Sequence, residues 1–106
     1  MIKIEIHRER QQYRGFLCSG HAGFGQEGAD IICAAVSVLT VNAINSIEQF
    51  TEDPFAVRQD DGFLELILES DVSDKTRLLL DSMILGLQEI QKQYGNEYIE
   101  LIYREV

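Results

Sequence analysis

The chain has 106 residues, enough for one domain and too few for two of ordinary size. Apolar residues make up 45% and charged residues 25%, which excludes a disordered chain, and a single proline with no serine- or glycine-rich tract excludes an obvious internal linker. The net charge of −9 disfavours direct nucleic-acid binding and adhesion to an anionic membrane, and it suits a basic protein partner.

The N-terminus, MIKIEIHRERQQ, alternates apolar with charged residues and lacks the apolar core of a signal peptide. The longest apolar stretches, about Ile31–Val41 and Leu78–Leu87, are interrupted by polar residues or glycine, so no membrane span is expected. The expected location is the cytoplasm. Two cysteines there should be thiols, and a Cys18–Cys33 disulfide is not expected as a structural staple.

Ile2, Ile4 and Ile6 alternate with Lys3, Glu5 and His7, the period of a half-buried strand. After a polar turn near Arg8–Gln11, Gln12–Cys18 reads as a second strand that closes a hairpin. Gly20–Gly28 is then a loop, because four glycines in nine residues make regular structure costly. From about Asp30 to Phe50 the residues suit a helix, apolar on most sides, with Asn42, Asn45, Ser46 and Gln49 as its polar face. Pro54–Gln59 and Phe63–Glu69 flank Asp60-Asp61-Gly62, a hairpin turn signal. Ser70, Asp71 or Ser73 is placed to cap a second helix that runs to about Tyr94 and stops at Gly95-Asn96. Its inward stripe is expected to be Leu79, Met83, Leu87, Ile90 and Tyr94, widened by Leu80 and Ile84. Tyr98–Arg104 alternates as a last strand. The order β-β-α-β-β-α-β predicts an α+β sandwich with two helices and a mostly antiparallel sheet.

The chemistry-bearing stretch is residues 20–37, GHAGFGQEGADIICAAVS. Its Gly23, Gly25 and Gly28 match G-x-G-x-x-G, but that fingerprint needs a parallel βαβ unit and an acidic residue at a strand tip, whereas Glu48 falls inside the helix. The glycines read better as loop flexibility. Cys18, His21 and Cys33 are three possible zinc ligands, with His7 a conceivable fourth, yet only Cys18-x-x-His21 forms the close pair that structural zinc sites use twice. No metal or other cofactor is expected.

A thiol site has more physical support. With a helix starting near Asp30, Cys33 lies in the first turn, where unpaired N–H groups and the helix dipole favour thiolate. His21, in the loop entering the same helix end, can fold back to exchange a proton with it. Asp30, Cys33, Ser37 and Thr40 share one helical face. Those hydroxyls either contact a substrate or bond backward to helix carbonyls. Asp30 is an N-cap, with or without a second role in orienting His21. Spacing alone leaves open a catalytic His–Cys pair and, against it, a loop histidine beside a buried core cysteine.

Gly20-His21-Ala22, Gly28 and Asp30-Ile31-Ile32-Cys33-Ala34-Ala35-Val36-Ser37 resemble the signature of the bacterial ribosomal-processing cysteine proteases, the Prp family. The resemblance implies a homodimeric cytoplasmic endopeptidase acting as a single domain over residues 1–106. Its substrate would be a basic large-subunit ribosomal protein, number twenty-seven, from which it removes a short N-terminal extension. It implies Cys33 as nucleophile and His21 as proton acceptor and donor. Ser37 and Asp30 are expected to contact substrate or orient the histidine, and Gly23–Gly28 to gate the site. The rival reading is a non-catalytic, ribosome-associated binding module with a structural core cysteine.

Overall fold

The alternating N-terminus forms strand β1, Ile2–Glu9, with Ile2, Ile4 and Ile6 buried and Lys3 exposed. Arg10 and Gln11 turn the chain with positive φ into β2, Gln12–Gly20. The computed structural model describes residues 1–21 and 29–106. From Ala29 the chain continues as helix α1 (Ala29–Phe50), strands β3 (Phe55–Asp60) and β4 (Phe63–Leu68), helix α2 (Asp74–Tyr94) and strand β5 (Ile99–Glu105). The β-β-α-β-β-α-β order and the α+β class are those read from the sequence.

The strands lie in the order β3-β4-β2-β1-β5. Neighbours are antiparallel except β1 and β5, which run parallel because α2 carries the chain back over the sheet before β5 joins the edge. Register aligns Ile4 with Cys18 and Leu64, and Ile6 with Phe16 and Leu66, so these rows share the face covered by the helices. The alternate row, Glu5, Leu17 and Glu65, faces the other way. There Glu5 Oε1 accepts from Arg104 Nε at 2.8 Å and lies 3.2 Å from His7 Nε2, and these bonds hold its carboxyl below its ordinary range.

Helix α1 buries Ile32, Val36, Thr40, Ala43, Ile44 and Ile47 in the common core. Contrary to the expectation of interrupted stretches, it is long and apolar enough, by length and composition alone, to cross a membrane, since no charged residue falls between Asp30 and Glu48. The buried row against the sheet is that of a core helix. The opposite face leaves Ile31 and Val38 each 66% exposed.

Ser73, of the three residues placed to cap α2, is the N-cap, and its hydroxyl accepts from Thr76 N at 3.3 Å. The Asp53 carboxylate secures this start by accepting from Ser73 N at 3.0 Å, from Ser73 Oγ at 2.6 Å and from the buried Thr76 hydroxyl. Those bonds stabilise the ionised form, so Asp53 titrates below the usual carboxylate range. At the other end Gly95 N donates to Gln91 O at 2.8 Å. The buried row is Thr76, Leu80, Met83, Ile84 and Leu87. The expected stripe is thus rotated slightly toward Leu80, and Tyr94 is exposed because the last turn runs past the packed layer. Gly86 lets the helices close on one another: a Cβ there would meet Leu39 Cδ1 of α1 at 2.9 Å.

Candidate active site

Strand β2 ends at Gly20, whose N–H donates to Gly62 O at 3.0 Å, and so brings the end of β2 against the β3–β4 turn. His21 follows at once and is exposed. Gly62 takes φ +68°, as the turn requires, and its lack of a side chain also makes room for the imidazole. A Cβ at Gly62 would stand 3.1 Å from His21 Nε2. The turn therefore seats the histidine ring.

Cys33 arrives from the helix side. Because α1 begins at Ala29, Cys33 is one full turn in rather than within the first turn as expected. Helical side chains lean toward the N-terminus, so the thiol still projects toward the open end of the helix. It sits at the border of the buried row, next to Ile32 and Val36, and is only partly covered.

His21 and Cys33 line one open cavity of about 210 Å³. Ser37, one turn beyond Cys33, lies on the same wall and is exposed. Thr40 reaches the cavity too, but its hydroxyl donates to Val36 O at 2.9 Å, the backward bond that is the ordinary state of a buried helical threonine. Val41, Phe63 and Leu64 give the cavity an apolar side, and Asp60 gives it a negative one. An extended peptide with apolar side chains suits such a wall.

Asp30 differs from the expectation. The helix starts one residue before it, so Asp30 occupies the first turn instead of the N-cap. Its exposed carboxylate is well placed for the helix dipole, and it is not among the described residues lining the cavity. Gly23, Gly25 and Gly28, the expected gate, lie outside the described residues.

The alternative chemistries fit this arrangement less well. Strand β2 pairs antiparallel with both of its neighbours and Glu48 lies within α1, so the dinucleotide geometry is not formed. His7 is bonded to Glu5 on the far face of the sheet from Cys18, and no group of three or more metal-binding side chains occurs among the described residues.

Two features of the site were not read from the sequence. The β3–β4 turn has a clear signal in Asp60-Asp61-Gly62, but nothing local says that it meets His21; that follows from β4 pairing with β2. Cys18 was weighed only as a zinc ligand, yet it lines the same cavity as Cys33. Burial, and secondly the charge of Cys33, push its thiol up to about 11.

The profile of the family described as cysteine protease Prp matches residues 1–100. The ribosomal processing cysteine protease Prp of Staphylococcus aureus (strain NCTC 8325 / PS 47) is 32% identical over 107 residues, spanning 98% of this chain and 100% of the relative. The protein of the same name in Bacillus subtilis (strain 168) is 28% identical over 101 residues, spanning 89% and 90%. The crystal structure of the S. aureus protease in complex with a substrate peptide superposes with a TM-score of 0.89 at 29% identity, covering 98% of this chain and 100% of that one. Its complex with a covalently linked product peptide gives 0.87 at 30% identity, with the same coverage.

Proposed function

The chain belongs to the Prp family of cysteine proteases, and from that premise we propose that it is an endopeptidase that trims a bacterial ribosomal protein before or during ribosome assembly. The substrate of this reading is large-subunit protein number twenty-seven carrying its short N-terminal extension. Residues 1–106 act as one protease domain in the cytoplasm, with no cofactor.

The observation that carries the reading is that His21 and Cys33 both line one open, partly apolar cavity. The Cys33 thiolate attacks the scissile carbonyl, and His21 returns a proton to the departing amine. Water, deprotonated by His21, then releases the extension from the sulfur. N–H groups at the start of α1 are the oxyanion donors, toward which the thiol leans. Ser37, exposed one turn along the same wall, contacts the peptide. The apolar wall of Val41, Phe63 and Leu64 receives side chains of the extension.

The exposed apolar residues of both helices, Ile31 and Val38 on α1 and Leu78 and Leu85 on α2, support a homodimer in which they are covered. The net charge of −9 supports capture of a basic substrate. The test is incubation with the extended ribosomal protein followed by mass spectrometry of the products. One cut that removes the extension is expected, and an intact precursor in the presence of folded enzyme would overturn the assignment.

A further inference from the structure

We infer that Cys18 is a second functional thiol: a resolving partner that closes a reversible disulfide with Cys33 across the cavity once a peroxide has oxidised Cys33. The inference rests on the reading of Cys33 as the reactive thiol. Two observations carry it beyond that reading. Cys18 belongs to the row Ile4–Cys18–Leu64, on the sheet face that the helices cover, and is partly buried there. Both thiols line the one cavity. The charge of Cys33 is the second and smaller cause of the raised Cys18 thiol, in keeping with that shared placement.

The environment also fixes the order of events. Burial keeps Cys18 protonated at neutral pH, so it does not attack peroxide itself. The Cys33 thiolate attacks one peroxide oxygen, the O–O bond breaks, and the second oxygen leaves as hydroxide and takes a proton to become water. Cys33 has then lost two electrons to form a sulfenic acid, and hydrogen peroxide has been reduced. A sulfenic acid is uncharged, so the repulsion that opposed ionisation of Cys18 is gone. Cys18 sulfur attacks Cys33 sulfur, the S–O bond breaks, and the departing hydroxide leaves as water with the Cys18 proton. The sum is two thiols and one peroxide to one disulfide and two waters. Closure of the bond between strand and helix requires the narrow Cβ separation of a disulfide. The consequence for the enzyme is protection. Closure stops the further, irreversible oxidation of Cys33, and a thiol reductant reopens the site.

The test treats the reduced full-length protein with a small excess of hydrogen peroxide at neutral pH, then labels remaining thiols with iodoacetamide. No trypsin site separates the two cysteines, so the chain is cut at Glu27, which does. The expected result is an unlabelled protein lighter by two hydrogen atoms, with the Cys18 and Cys33 fragments linked, and two labels recovered after dithiothreitol. Cys18→Ala should instead retain one or two added oxygens on Cys33, and dithiothreitol should fail to reverse the higher adduct. The inference is overturned if the wild-type protein and Cys18→Ala collect the same oxygen adducts at the same rate, or if linkage forms only between molecules. None of these readouts depends on the protein's own cleavage of a substrate, so loss of the disulfide and loss of the protease assignment are separately visible.

Discussion

At the scale of single residues, the site rests on contrasts between like groups. The two cysteines face one cavity, but burial and the neighbouring charge hold the Cys18 thiol up to about 11. Iodoacetamide at pH 7 should therefore label Cys33 and spare Cys18, with Cys18 labelling rising only as the pH approaches 11 or the chain unfolds. Peptide mapping after cutting at Glu27 checks this, and prompt labelling of Cys18 at pH 7 would show that it is not shielded. Gly62 offers a second test at this scale. A Cβ there would crowd the His21 ring while forcing an L-residue into φ +68°. Small misplacements of a catalytic group are costly, so Gly62→Ala should lower kcat by roughly ten- to a hundred-fold. The loss in KM should be smaller, because the apolar wall is untouched. That His21 and Cys33 come to one cavity could be anticipated from the loop that leads into α1. Gly62 was legible only as a turn, since its second task depends on strands paired at long range.

At the scale of elements, the ends of α2 were readable because caps are local chemistry. Ser73 before Asp74 and Gly95 after Tyr94 mark the boundaries through side-chain and φ requirements that any isolated helix would share. The partner Asp53, twenty residues upstream of Ser73, was not readable, as its role exists only once β3 has been placed. Ser73→Ala should cost about 1 kcal/mol of stability in chemical denaturation. The Asp53 carboxyl has a folded-state pKa below its unfolded one, so its contribution is present at neutral pH and lost as pH falls through the folded value. The stability gap between wild type and Asp53→Asn should then be widest near neutrality and shrink in acid. A gap that stayed constant with pH would mean that the charge contributes nothing to the cap. The inward stripe of α2 was readable only in part. Periodicity picked out Leu80, Met83, Ile84 and Leu87, but Tyr94 continues the period past the layer that covers the others.

At the scale of the whole molecule, alternation and turn residues gave the order of elements, because each depends on a few neighbouring side chains. Strand order did not follow from them. The edge position of β5 and its parallel pairing with β1 are set by the crossover of α2, which leaves no local mark. The same long-range pairing decides the cavity: α1 supplies one wall, and the β3–β4 hairpin, on the far side of β2, supplies the other. Two proposals belong here. Val38→Asp should shift sedimentation from dimer to monomer if the exposed face of α1 is part of the interface. Cleavage should slow as salt is added if the acidic surface gathers the basic substrate, and salt-independent rates would remove that contribution.

On the proposed reading, the bond to the ribosomal extension is broken through a covalent adduct on the sulfur of Cys33. This is tested most directly by quenching the enzyme in acid within its first turnover on the extended ribosomal protein and weighing the fragment after Glu27. The fragment should gain the mass of the released extension less one water on Cys33, and Cys33→Ala should show neither adduct nor cleavage. Cleavage by Cys33→Ala at the wild-type rate, with no adduct on the wild-type enzyme, would contradict it.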